Sequence, residues 1–181
     1  MNKRTTIDTA WSQSFAYAIG LLVTDGNLSS DRRHINFTSK DIALIKTFKK
    51  CLNIKNRIGK KCRANEKIKK YYQVQFGNVI FYKFLLKIGL MPKKSKIIAK
   101  IKIPNKYYAD FLRGHFDGDG TFYSYQDKRW KSSYMYYLTF ASASHDHIEW
   151  LQGQTLKLYK IKKKKKKKKK QVLYQLKYAK K

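Results

Sequence analysis

Few carboxylates occur in this sequence, and two of them stand at the same place in two similar apolar segments. Only 11 of the 181 residues are Asp or Glu, against 42 Lys or Arg. Asp25 and Gly26 end the segment FAYAIGLLVTDG (residues 15–26), and Asp119 and Gly120 end the segment DFLRGHFDGDG (residues 110–120). A single Asp-Gly pair is typical of a turn that ends a helix. Two pairs at matching positions in a strongly basic chain favour a shared chemical role.

Two such acids have a specific chemistry if helices bring them together. Carboxylates at the C-terminal ends of two helices repel each other, and the helix dipoles add negative potential. A divalent cation relieves this repulsion, and hard oxygen ligands suit Mg²⁺, which keeps several waters and accepts phosphate oxygens. Such a site can activate water and stabilise the leaving oxygen of a phosphodiester. Asp25 and Asp119 are therefore the candidate catalytic and metal-binding residues, with Mg²⁺ or another divalent cation as the expected cofactor.

The elements that must position these acids are two apolar helices. Apolar residues lie at helical spacing around Gly20 in the first segment and around Gly114 in the second. Because glycine lets two backbones approach closely, we predict that the helices pack side by side through Gly20 and Gly114. Asp25 and Asp119 would then lie near each other at the same end of the pair.

Downstream of each apolar segment the sequence repeats. INFTSKDIALIKTF (residues 35–48) matches LTFASASHDHIEWL (138–151) without gaps, and YQVQF (72–76) matches YQLKY (174–178). Each longer segment reads as a strand that turns into a helix, with Ser39 or Ser142 near the helix start. The predicted fold is therefore α+β, with two pseudo-symmetric αββαβ(βα)-type half-domains over residues 1–97 and 98–181.

The two copies differ at their ends. Copy one adds a predicted helix from Val79 to about Leu90, and a linker over residues 91–106 holds both prolines. Copy two ends at Lys181, where the matching helix should begin, so its C-terminal helix is expected to be truncated.

The charge of the chain indicates a polyanionic partner. The formal net charge is +31, and the cations lie between aromatic and β-branched segments, which favours nucleic acid over a membrane surface. No apolar stretch approaches the roughly 18 to 20 residues of a membrane span. The basic run Lys162–Lys170 reads as a solvated loop that can add phosphate contacts without sequence information. Two cysteines make neither a disulfide framework nor a zinc site.

Alternating strands give each predicted sheet one apolar face and one face rich in amides and cations. An ordinary half-solvated sheet also has a polar face. Because the chain is so strongly basic, we interpret this face as a DNA-reading surface, with amides for adenine edges and cations for guanine. The candidate DNA-binding residues are His34, Asn36, Thr38, Gln73, Gln75, Lys128, Arg129, Lys131, Gln175 and Lys177.

AIGLLVTDG (residues 18–26) and LRGHFDGDG (112–120) resemble the two motifs of a LAGLIDADG homing endonuclease. The order of helices and strands is also similar to that family's half-domain. The resemblance implies a single-chain, pseudo-symmetric monomer whose sheets form a saddle over double-stranded DNA. It implies that Asp25 and Asp119 bind Mg²⁺ and cut the two strands, and that the backbone carbonyls of Thr24 and Gly118 help hold metal.

Departures and supporting residues are also visible in the motifs. Val23 replaces the first acid of motif one, whereas Asp117 keeps it in motif two; that position is usually not a metal ligand in the family. His115 is an unusual polar residue for a helix–helix seam. Members of the family also use basic or amide side chains around their metals. By position in the sequence, the candidates for this role are Lys40, Lys94 and Gln75.

Four other functions compete with that of an active, free-standing nuclease. The same fold could serve a catalytically inactive nucleic-acid-binding protein, either an intron maturase or a DNA-binding regulator. An intein endonuclease would need a splicing nucleophile and a His-Asn end, which the sequence does not offer. A ribosomal-type RNA-binding protein would account for the charge but not for the paired Asp-Gly helices. An HNH nuclease is disfavoured because His145 and His147 flank a predicted helix start. The expected location is intracellular, in a prokaryotic or phage-infected cytoplasm or an organelle.

Overall fold

Helices and strands of this computed structural model form two antiparallel sheets with helices against them, over described residues 7–62, 70–126, 134–162 and 173–180. This confirms the α+β class. No helix in these ranges is long and apolar enough to cross a membrane. The elements are α1 (Gln13–Asp25), β1 (Gly26–Leu28), β2 (His34–Ser39), α2 (Ile42–Cys51), β3 (Ile58–Lys61), β4 (Tyr71–Gly77), α3 (Val79–Ile88), α4 (Tyr108–Asp119), β5 (Thr121–Gln126), β6 (Tyr134–Ser142), α5 (His145–Tyr159) and β7 (Tyr174–Lys180).

The chain divides into two compact units. The first unit comprises Met1–Lys94 and Ile101–Gly118, and the second comprises Ser95–Lys100 and Asp119–Lys181. Helix α4, which carries the second motif, thus belongs to the first unit except for its last residue, Asp119. The predicted boundary between the two half-domains, between residues 97 and 98, divides the chain by sequence similarity and not by packing. It stays a prediction.

In the first unit the strand order is β1-β2-β4-β3, and all pairs are antiparallel. Ile35 and Phe37 of β2 are buried, as are Val74 and Phe76 of β4, because they share the face that the helices cover. The Phe37 ring lies 4.4 Å from the Phe48 ring of α2, centroid to centroid. The αββαβ(βα) pattern includes a strand at the place of β3, but its IGKK sequence is too short to show an alternation, so the sequence does not predict its residues.

Helix α3 is the predicted extra helix of copy one. It ends at Ile88, two residues before the predicted end, because Gly89 adopts the left-handed conformation with φ of 105°. The linker that follows is irregular apart from 3-10 turns at Lys94–Lys96 and Asn105–Tyr107.

The second unit repeats the pattern with the strand order β5-β6-β7. Phe140 of β6 is buried opposite Leu176 of β7, at the positions that Phe37 and Val74 hold in the first sheet. Helix α5 covers this face with buried Ile148 and Leu151. Residues 35–48 in the first unit and residues 138–151 in the second therefore both form a strand followed by a helix, as the repeat predicts.

The predicted helix starts were placed too early. Asp41 is the N-cap of α2 and Ser144 is the N-cap of α5, and each accepts a hydrogen bond from a backbone N–H of the first turn. Ser39 and Ser142 instead accept from the backbone N–H of the residue two positions on. The serines therefore shape the turn between strand and helix, and the cap is the residue two positions on.

Candidate functional site

Helices α1 and α4 pack through their glycines, as the sequence predicts. A Cβ atom added to Gly114 would lie 2.0 Å from the carbonyl oxygen of Tyr17, and one added to Gly20 would lie 2.3 Å from that of Phe111. No side chain fits at these contacts, so the two backbones touch directly. His115 is buried beside this contact, with its ring edge-on to Phe111 at 6.0 Å.

The seam continues to the C-terminal ends of the two helices. A Cβ on Gly118 would lie 2.0 Å from the Thr24 hydroxyl oxygen, and that hydroxyl donates to the carbonyl oxygen of Leu21 at 2.9 Å. Thr24 directly precedes Asp25, and Gly118 directly precedes Asp119. The residues next to the two candidate acids are thus in contact, while the pairing of the acids themselves stays a prediction.

Lys94 lies at the end of α1, brought there by the linker. Its side chain is 7% exposed, and its ammonium donates to the carbonyl oxygens of Thr24 at 3.0 Å and Gly26 at 2.6 Å. These are the two residues that flank Asp25. A buried ammonium therefore fixes the backbone on both sides of the candidate metal ligand.

The other two supporting candidates are carried by the first sheet rather than by the end of α1. Lys40 is exposed just after β2, with its ammonium 5.4 Å from the centroid of the Tyr71 ring. Gln75 is exposed on β4, opposite Asn36. Of the three residues proposed from position alone, Lys94 is the one that contacts the backbone around Asp25.

Sequence reasoning missed a polar clasp across the seam. The Tyr17 hydroxyl donates to the Asp117 carboxylate at 2.7 Å, and the Arg113 guanidinium lies 4.7 Å from the centroid of the Tyr17 ring. Burial and the neighbouring Asp117 carboxylate raise the pKa of Tyr17 well above its usual range. Asp117 therefore joins the two helices. The signal was available, since Tyr17 lies three residues before Gly20 and Asp117 three residues after Gly114, on the glycine-bearing faces.

The outward face of the first sheet carries its predicted polar residues. The Asn36 amide donates to the Gln73 amide oxygen at 3.4 Å, and the Thr38 hydroxyl donates to the Asn36 amide oxygen at 3.0 Å. His34 contacts the Asp31 carboxylate in the turn before β2. Hydrogen bonds from the backbone and ring of His34 and from the Arg33 backbone lower the pKa of Asp31 to about 2.

On the second sheet, the outward face is more aromatic. The Lys177 ammonium lies 3.8 Å from the centroid of the Tyr137 ring and 4.7 Å from that of Tyr123. Gln175 is exposed on the same strand. The remaining predicted DNA-binding residues, Lys128, Arg129 and Lys131, lie outside the described residues, as does the basic run after Lys162.

A sequence profile of the LAGLIDADG-like domain matches this chain twice, over residues 12–89 and 106–181. Each match contains one of the two Asp-Gly motifs, and together they span most of the chain. The sequence matches none of the curated proteins compared with it.

Solved structures share this fold at low sequence identity. The LAGLIDADG homing endonuclease I-LtrWI, solved bound to target DNA, has a TM-score of 0.59 and 11% identity, covering 93% of this chain and 78% of its own. I-DmoI, solved with DNA and Mn, has a TM-score of 0.54 and 17% identity, covering 91% and 88%. WhiA from Thermatoga maritima has a TM-score of 0.53 and 14% identity over 87% of this chain, which spans about half (48%) of the WhiA chain. These likenesses show the fold alone.

Proposed function

We propose that this chain, which belongs to the LAGLIDADG family, is a site-specific endonuclease that hydrolyses both strands of duplex DNA with the help of a divalent cation. One observation carries the proposal. The two motif helices pack through Gly20 and Gly114, and the seam runs on to a contact between Thr24 and Gly118. Asp25 follows Thr24 and Asp119 follows Gly118, so each acid comes directly after one partner of this contact. A site with paired carboxylates requires such an arrangement.

The donors around this contact fit a hard divalent cation. Carboxylates and backbone carbonyls are the oxygen ligands that Mg²⁺ accepts, beside water and phosphate oxygens. Asp25 and Asp119 would supply the carboxylates, and Thr24 and Gly118 would supply carbonyl oxygens. The Thr24 carbonyl already accepts from Lys94 but keeps a second lone pair. When bound, such a cation activates water and stabilises the leaving oxygen of the phosphodiester.

Lys94 and the seam hold these donors in place. The Lys94 ammonium bridges the carbonyl oxygens of Thr24 and Gly26, so the backbone of Asp25 cannot shift without breaking a buried charged contact. The Tyr17–Asp117 hydrogen bond ties α1 to α4 beside the seam. Catalytic groups held this rigidly lose little entropy when the substrate binds.

The rest of the chain supplies binding. A net charge of +31 attracts the DNA backbone, and the outward faces of both sheets carry the polar side chains. Fold neighbours solved with DNA, I-LtrWI and I-DmoI, support duplex DNA as the partner. We further propose that the protein acts as a monomer inside the cell and serves a mobile genetic element such as an intron.

The test begins with a target selected from a randomised duplex library in the presence of a chelator. That target is placed in a supercoiled plasmid, and nicking and linearisation are measured with Mg²⁺. Asp25→Asn and Asp119→Asn keep the side-chain size but remove the charge that a cation needs, so each should abolish double-strand cleavage while DNA binding persists. Asp117→Asn is the matched control, since its amide oxygen can still accept from Tyr17, and it should largely keep cleavage.

Three results would contradict this assignment. A dead Asp117→Asn beside an active Asp119→Asn would mean that the second motif is read two residues out of register. Equal cleavage by all three variants would mean that Asp25 and Asp119 are only turn residues. Tight, selective DNA binding by the parent protein without any cleavage in Mg²⁺ or Mn²⁺ would favour the catalytically inactive, nucleic-acid-binding alternative.

A further inference from the structure

The two sheets present different chemistry at equivalent positions of their outward faces. In the first sheet Asn27, Asn36 and Gln75 stand side by side on β1, β2 and β4, because Asn27 pairs with Asn36 and Asn36 pairs with Gln75. We call these three residues the amide row. All three are wholly or partly exposed. Each carries both a donor and an acceptor on one planar group.

Hydrogen bonds orient the middle residue of the amide row. Asn36, its middle residue, donates to the Gln73 amide at 3.4 Å and accepts from the Thr38 hydroxyl at 3.0 Å. An amide with fixed donor and acceptor directions is suited to base reading. Asn and Gln pair in bidentate fashion with the N6 and N7 edge of adenine in the major groove.

The same three positions of the second sheet contain one cation and no amide. They are Thr121, Thr139 and Lys177, which pair across β5, β6 and β7 as the amide row pairs across its strands. We call them the threonine–lysine row. Thr139 is buried, so it offers little to a ligand. Lys177 is the charged member and carries the main capacity for contact.

Lys177 is held by aromatic rings rather than by amides. The Tyr123 and Tyr137 rings stack with centroids 4.9 Å apart, and the Lys177 ammonium lies over both. The ammonium also donates to the Tyr123 hydroxyl. Lysine can contact guanine, but its ammonium is a point charge without a planar fork, and here the two rings and this hydroxyl already engage it, so it discriminates between bases less than an amide does. Such a group suits the phosphate backbone, whose contacts carry no sequence information.

We infer that the two sheets divide the labour of recognition: the amide row reads base identity in one half of the target, whereas the threonine–lysine row holds the other half mainly through its phosphates. This inference rests on the proposed function, since it assumes that both outward faces bind duplex DNA. It assigns sequence discrimination to Asn27, Asn36 and Gln75. It predicts a target with one strictly read half and one tolerant half.

The experiment exchanges the two equivalent residues. The full chain, Gln75→Lys and Lys177→Gln are each incubated with a randomised duplex library in a chelator, and bound DNA is sequenced. Gln75→Lys should relax base preference in the strict half by about tenfold or more at the position it contacts, the discrimination expected of one bidentate pair. Lys177→Gln should weaken binding to all sequences about equally and flatten the log–log salt slope by about 0.9.

The outcomes separate this inference from the nuclease proposal. Equal base preference in both halves, or a preference that changes with Lys177→Gln but not with Gln75→Lys, would overturn the division of labour while leaving cleavage untouched. Absence of duplex binding by the parent chain would overturn both. Cleavage of the selected DNA is scored separately, so a failure to cut removes the nuclease proposal and leaves the reading asymmetry standing.

Discussion

Leu28 and Phe122 occupy the same position in the two repeats, but their surroundings differ. Leu28 pairs with Ile35 in the first sheet, and Phe122 pairs with the equivalent Leu138 in the second. Leu28 is 2% exposed, whereas Phe122 is 59% exposed. The strand register is therefore the same in both copies, but the burial of the equivalent side chains is not.

Helices α1 and α3 both pack against the first sheet in this region, α1 against β1 and β2 and α3 against β2. Tyr82 of α3 is buried, and the Tyr82 hydroxyl donates to the carbonyl oxygen of Ser29, the residue after Leu28, at 2.6 Å. In the described part of the second unit the only α-helix is α5, which contacts β6 and β7. A repeated strand pattern thus becomes a core only where a helix is present to cover it, because burial requires two layers.

The largest expected effect concerns the packing of α1 against α4. Gly114→Ala would place a Cβ 2.0 Å from the backbone oxygen of Tyr17, so α1 and α4 must separate. We expect the free energy of unfolding to fall by about 4 kcal/mol or more, measured by urea denaturation. Gly153→Ala in α5 is the matched control, since a Cβ there meets nothing within 4 Å. It should gain about 0.5 to 1 kcal/mol from helix propensity.

Paired truncations test the two sheets directly. Leu28→Ala removes a side chain that is fully enclosed and should lower the free energy of unfolding by about 3 kcal/mol. Phe122→Ala removes a larger side chain that is mostly in solvent, so it should cost less than about 1 kcal/mol. Equal losses in urea denaturation would break the comparison, because they would mean that Phe122 is covered in solution.

The helix caps provide a third pair at equivalent positions. The Ser144 hydroxyl is buried, donates to the carbonyl oxygen of Ile98 at 2.5 Å and accepts from the His147 N–H at 3.4 Å. Asp41 is exposed and accepts from the Ala43 N–H at 2.7 Å. Thermal denaturation should show a loss of about 2 kcal/mol for Ser144→Ala and about 1 kcal/mol or less for Asp41→Ala. The reverse order would mean that the cap energy does not depend on burial.

The smallest effect concerns the clasp between α1 and α4. Tyr17→Phe removes the hydrogen bond to Asp117 and should lower the free energy of unfolding by about 1 kcal/mol at pH 7. Because folding raises the pKa of Tyr17, its contribution is present below the unfolded pKa of about 10 and is lost as pH rises above that value. The difference between parent and variant should therefore shrink above pH 10, and a difference that grows there would contradict the assigned hydrogen bond.

Much of the fold follows from local pattern. The alternation in β2, β4 and β7, the gapless repeat and the glycines of the two apolar segments predicted the sheets, their buried faces and the helix seam. The residues of strand β3 could not be assigned, because four residues carry too little periodicity. The helix starts were misplaced because Ser39 and Ser142 are as suited to a turn as to a cap, and only the backbone geometry distinguishes the two roles.

The candidate site divides in the same way. The sequence by itself determined that Asp25 and Asp119 hold equivalent places and that their helices meet through Gly20 and Gly114, because repeats and glycine spacing are written locally. The contact between Thr24 and Gly118 came from the structure. Only the tertiary structure decided that Lys94, 70 residues from Thr24, bonds the backbone around Asp25, and that Tyr17 reaches Asp117, 100 residues away. Contacts over such separations depend on how whole elements pack. Spacing places Tyr17 and Asp117 on the glycine-bearing faces of their helices, but it does not specify which side chains meet.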